Sequence, residues 1–142
     1  MYSIVAEKPG NISVLQKKSI DFSEPKSNEV LIKNRAIGVN FIDIYFRAGL
    51  YPWPVDTDLV LGSEGAGEVE AVGPDVKNFK IGDRVAYAQP NNAYSTHRII
   101  SEDLVVSIPD GISYDQAAAS ILKGLTVKSV SYTHLRAHET QF

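Results

Sequence analysis

Between Asn40 and Tyr51 the chain gathers a carboxamide, a carboxylate, a guanidinium and two phenols (Asn40, Asp43, Arg47, Tyr45 and Tyr51) at the edge of the ring-rich loop Tyr51-Pro52-Trp53-Pro54. Amides and phenols set among large rings can line a pocket for a flat, conjugated ligand. Core tyrosines with satisfied hydroxyls would look the same in sequence, so residue types alone leave both readings open. The run Gly62-Ser63-Glu64-Gly65-Ala66-Gly67 spaces its glycines G-x-x-G-x-G, the reverse of the dinucleotide order, and leads into the strand-like stretch 68–72. No helix N-terminus follows that could receive a pyrophosphate, so the run reads as tight turns and close strand contact. His134 and His138 stand at i, i+4 with no evident third ligand, which falls short of a metal site. His97 lies in an alternating stretch and reads as a partly exposed structural histidine. The chain contains neither a G-x-x-x-x-G-K-S/T phosphate loop nor a G-x-S-x-G elbow.

The elements that must position these groups are mostly strands. Residues 2–6 and 12–16 flank Pro9-Gly10-Asn11 and predict a hairpin. Residues 30–39 predict a long strand with Gly38 at a bulge or close backbone approach. Phe41, Ile44 and Tyr45 recur at i, i+3 and i+4, the pattern of one or two helical turns that Gly49 would stop. Short strands at 59–61, 66–72, 84–89, 94–100 and 104–108 with glycine punctuation indicate a sandwich or partly open barrel. Ser113 and Gln116 have capping-box spacing, and Tyr114, Ala117, Ala118, Ile121, Leu122 and Leu125 form one apolar face, predicting a helix over 113–123.

The chain has 142 residues, 44% hydrophobic and 22% charged, which suits one globular domain. Its net charge of −3 offers no cationic excess for nucleic acid or an anionic membrane. Zero cysteine removes disulfides, thiolate zinc sites and cysteine nucleophiles, and the N-terminus has no secretory pattern, so a cytoplasmic location is expected.

Four segments in series carry a resemblance: 36–52 (AIGVNFIDIYFRAGLYP), 61–69 (LGSEGAGEV), 82–87 (GDRVAY) and 117–126 (AAASILKGLT). Together they resemble the zinc-free quinone oxidoreductases related to zeta-crystallin, within the medium-chain dehydrogenase/reductase superfamily. The resemblance implies a mainly β GroES-like domain over 1–128, a partly open β-barrel with a few short helices. By the resemblance this is the catalytic domain of a two-domain α/β oxidoreductase whose Rossmann domain is missing. It implies NADPH as cofactor, with NADH as the alternative, a quinone or other conjugated carbonyl as substrate, and a homodimer for the full-length enzyme. It places Asn40, Asp43, Tyr45 and Thr126 along the nicotinamide and its ribose, and makes Tyr51 and Asn40 the catalytic candidates, with Arg47 adding positive potential. Asn40 and Ser63 stand where zinc-dependent relatives carry a metal-binding Cys and His, so no metal is expected. Two alternatives remain open: an enoyl or alkenal reductase, and a non-catalytic GroES-like binding module. Beyond Lys128 the likeness stops, and 130–140 (VSYTHLRAHET) resembles translated sequencing-adapter read-through. Residues 129–142 are therefore expected to be a non-native or disordered tail on a truncated gene, the alternative being a divergent C-terminus.

Overall fold

The computed structural model describes residues 1–132. The expected hairpin forms between β1 (Tyr2–Ala6) and β2 (Leu15–Ser19), antiparallel with Ala6 opposite Leu15. Its second strand starts later than the apolar pattern predicts. The Asn11 side chain accepts from the Ser13 backbone amide at 2.9 Å and winds Ile12–Val14 into a 3-10 turn instead.

The long strand β3 (Glu29–Gly38) is the spine of the larger sheet. It pairs antiparallel with β5 (Glu64–Val72) on one side and β7 (His97–Ser101) on the other. Adding β6 (Arg84–Ala88) and β8 (Val105–Ser107) gives the order β7-β3-β5-β6-β8. A smaller sheet, β2-β1-β4, includes β4 (Leu59–Val60). The two sheets meet through the segment before β7, where Ile4 N donates to Tyr94 O at 2.8 Å, and Ser3 bridges Ser95. They do not close on one another, so the mainly β, partly open barrel expected of a GroES-like domain is what forms. Val30, Ile32, Val69, Val85 and Tyr87 fill its interior without solvent contact.

Helix α1 (Phe41–Ala48) ends at Gly49, whose φ of 78° lets its amide reach back to Phe46 O. Helix α2 (Tyr114–Val130) opens with reciprocal bonds between Ser113 and Gln116, at 2.9 and 3.1 Å, as the spacing predicts. Ala117 and Ala118 bury against Ala66 and Ala86 on the outer face of the larger sheet. The helix continues seven residues past its expected end at 123. No proline or left-handed residue interrupts 124–130, so backbone bonding persists beyond the apolar stripe. Residues 129 and 130 thus belong to α2, while His134 and His138 lie outside the described residues. Among the described residues no helix is long and apolar enough to cross a membrane.

His97 departs from its expected exposure. It is 8% exposed, its Nε2 lies 2.9 Å from Glu70 Oε2, and the Phe22 ring of the preceding loop covers it. The loop's single aromatic decides this, a tertiary contact that strand alternation does not register.

At Gly67 the strands β3 and β5 approach so closely that a Cβ would lie 2.1 Å from the Lys33 carbonyl oxygen. Gly67→Ala is expected to cost about 3 kcal/mol, because backbone rather than a flexible side chain must move. Urea unfolding at unchanged m-value measures this, and a loss under about 0.5 kcal/mol would show that the strand pair can part freely.

Candidate functional site

Glu64, the first residue of β5, is fully buried opposite Gly38. Any side chain at Gly38 would strike the Glu64 carboxyl at 2.3 Å, which gives the expected close approach its reason. An ionised carboxylate out of water must be met by donors. Three arrive, one from the start of α1 and two from α2: Asn40 Nδ2 at 2.7 Å, Lys123 Nζ at 3.1 Å and the Leu122 backbone amide at 2.8 Å. Lys123 Nζ also donates to Asn40 Oδ1 at 3.1 Å, closing a ring of carboxylate, carboxamide and ammonium. The Lys123 side chain is 59% exposed, so this ring lies at the surface end of a buried anchor.

Asn40 precedes α1 in the position of a helix-capping residue. Its side chain is turned instead to Glu64 and Lys123, while Asp43 Oδ2 accepts from the Asn40 backbone amide at 2.9 Å. Asp43 is 3% exposed and forms a second anchor. Its Oδ1 accepts from Ser63 Oγ at 2.8 Å and its Oδ2 from Tyr94 OH at 2.9 Å. Burial, and next the Asp43 carboxylate, push the Tyr94 phenol above its ordinary range, so it remains a neutral donor. The negative charge of Asp43 in the first turn of α1 also suits the positive end of the helix dipole.

Tyr45 and Tyr51 meet edge to face, with centroids 5.7 Å apart, and Phe46 meets Tyr51 at 5.4 Å. Trp53 Nε1 donates to Phe46 O at 2.6 Å and holds the proline-rich loop against α1. Tyr45 and Tyr51 are 39% and 43% exposed, and neither hydroxyl has a hydrogen-bond partner among the described residues. Arg47 Nε donates to Gly10 O, tying α1 to the first hairpin. Thr126 is exposed on α2, three residues beyond Lys123, and donates to Leu122 O at 3.0 Å.

The predicted residues therefore fall into three groups. Asn40 and Asp43 share one network, Tyr45 and Tyr51 form a half-exposed ring pair, and Thr126 stands on α2 beside the residue the sequence reading missed, Lys123. Its signal was present, since it is the lone charge between Ala117 and Val127. Glu64 and Ser63 stood in the glycine-rich run, whose spacing drew attention to turns rather than to the carboxylate inside it.

A family model described as the alcohol dehydrogenase GroES-like domain matches residues 26–110. The chain is 54% identical over 120 residues to a quinone oxidoreductase of Pseudomonas aeruginosa, covering 84% of this chain and 37% of that relative. It is 50% identical over 121 residues to quinone oxidoreductase 1 of Escherichia coli, with the same coverage of each. The crystal structure of Escherichia coli quinone oxidoreductase complexed with NADPH superposes at a TM-score of 0.90 and 46% identity, covering 94% of this chain and 41% of that one. The chain thus spans well under half the length of the relatives it matches.

Tyr94→Phe removes one donor from Asp43 and is expected to lower stability by about 1.5 kcal/mol at pH 7. Because folding raises the Tyr94 phenol value, its contribution is full below pH 10 and declines as pH rises past it. Chemical denaturation between pH 7 and 11 should show that decline in the parent and a shallower one in Tyr94→Phe, whereas parallel curves would contradict a phenol raised by burial and by Asp43.

Proposed function

The chain belongs to the alcohol dehydrogenase GroES-like domain family, and from that premise we propose that residues 1–128 form the substrate-facing unit of an NADPH-dependent, zinc-free quinone oxidoreductase. The observation that carries the reading is the ring of Glu64, Asn40 and Lys123, which fixes a carboxamide at the surface within the domain that bears the half-exposed Tyr45–Tyr51 pair. An oriented amide, a hydroxyl on α2 and exposed aromatic faces suit a flat carboxamide-bearing ring and a planar substrate.

When bound, NADPH supplies a hydride. Asn40 holds the cofactor's carboxamide end with the donor and acceptor that its two neighbours leave accessible. Thr126 can turn its hydroxyl from Leu122 O toward the ribose. Tyr45 flanks the ring, and Tyr51 donates to the substrate oxygen on which charge develops. Asp43 acts through Ser63, Tyr94 and the Asn40 backbone by keeping the start of α1 in place. A metal is not called for by the donor set, since Asn40 presents Nδ2 to Glu64 and Ser63 presents its hydroxyl proton to Asp43. Both positions work as hydrogen-bond donors. The described residues provide one wall of such a site, and a dinucleotide's pyrophosphate requires a glycine-rich strand-to-helix turn, which they do not include. A cytoplasmic homodimer is the assembly this reading carries with it.

Residues 1–128 fused to the nucleotide-binding portion of the Escherichia coli relative should oxidise NADPH faster with a quinone than with an enone, and should do so undiminished by a zinc chelator. Tyr51→Phe in that fusion should lower kcat/KM roughly tenfold. Unchanged kinetics would remove Tyr51 from the site, a preference for the enone would assign the alternative reductase chemistry, and loss of activity to the chelator would contradict metal independence.

A further inference from the structure

A second cleft, of about 310 Å³, opens at the seam between β7 and the smaller sheet. Arg98 lines it. The strand register places Arg98 opposite Ile32, a fully buried position where an apolar residue would be ordinary. Arg98 is 6% exposed, yet no carboxylate among the described residues pairs with it. Its contacts are neutral: it stacks over the Tyr87 ring at 4.4 Å, and Nη1 donates to Gln89 O at 3.3 Å. Tyr87 offers no countercharge, because burial pushes its phenol above the ordinary range. The neighbouring His97 already has an acid in Glu70. Burial pulls the Arg98 guanidinium below its usual range, the mark of a cation whose charge is uncompensated.

A buried guanidinium retains most of its five donors in a planar fork, the shape that accepts a carboxylate through two parallel bonds. The remaining walls narrow the ligand class. Ile20, Phe22, Val60 and Ile99 are apolar, Asn92 adds an amide, and the polar Ser3, Ser95 and His97 already hold partners in one another and in Glu70. Inorganic phosphate would leave those apolar walls unused, and a neutral hydrocarbon would leave the charge unmet. We propose that this cleft binds a compact apolar monocarboxylate of about benzoate size, its carboxylate on Arg98 and its body against Phe22 and Val60.

The 142-residue chain itself can be titrated with sodium benzoate at constant ionic strength, following thermal unfolding and backbone amide shifts. The expected Kd is on the order of 1 mM, typical of so small a ligand. At ten times Kd the unfolding equilibrium constant should fall about elevenfold, and amide shifts should centre on Asn92, Ser95 and Ile99. Benzamide and inorganic phosphate should each give a far smaller response, and Arg98→Met should abolish it. Should Arg98→Met not fold, Arg98→Lys serves in its place, keeping the charge without the fork and weakening affinity about tenfold. The proposal fails if no saturable response is seen, if benzamide or phosphate matches benzoate, if Arg98→Met still responds, or if Arg98→Lys binds as the parent does.

Discussion

One buried carboxylate determines how the domain is put together around its site. Glu64 has no contact with water, and a charge so placed is tolerated only where fixed donors surround it. Those donors come from Asn40, the residue before α1, and from the middle of α2. Any shift of the helix over the sheet would strip the carboxylate of a partner, so the small apolar contacts of Ala117 and Ala118 are reinforced by a polar lock. Gly38 is constrained by the same demand, since the space a side chain would occupy belongs to Glu64.

Asp43 repeats the principle next to it, bound by Ser63, the residue before Glu64. By taking the amide of Asn40, the hydroxyl of Ser63 and the phenol of Tyr94, it fixes the start of α1 from below. Asn40 is consequently held at both its backbone and its side chain by different acids. Such double restraint is what a polar group needs if it is to orient a ligand without first reorganising. The Tyr45–Tyr51 pair is held differently, by ring contacts and the Trp53 tether, which leaves its hydroxyls uncommitted among the described residues.

Much of this was legible in the residues. Strand positions, the hairpin turn, the Gly49 stop and the start of α2 follow from local chemistry, and the structure places them within a few residues of expectation. The four segments pointed to a GroES-like domain of a quinone oxidoreductase family, and the domain model and relatives agree. What stayed hidden depends on contacts between distant parts of the chain. Nothing local to Asn40 reveals that Glu64, 24 residues away, holds its side chain. Lys123 has no visible purpose until α2 docks, and His97 seems exposed until Phe22 folds over it. The extra turns of α2 were missed because an apolar stripe marks where a helix is packed, not where its backbone bonding ends.

A double-mutant cycle between Asn40→Ala and Glu64→Gln, read by equilibrium unfolding of the 142-residue chain, measures the anchor directly. If the buried carboxylate holds the Asn40 carboxamide, the two substitutions will be coupled by about 2 kcal/mol, the worth of a charge-assisted hydrogen bond out of water. Additivity within about 0.3 kcal/mol would mean that the two groups are merely neighbours, and the site would have to be positioned by something else.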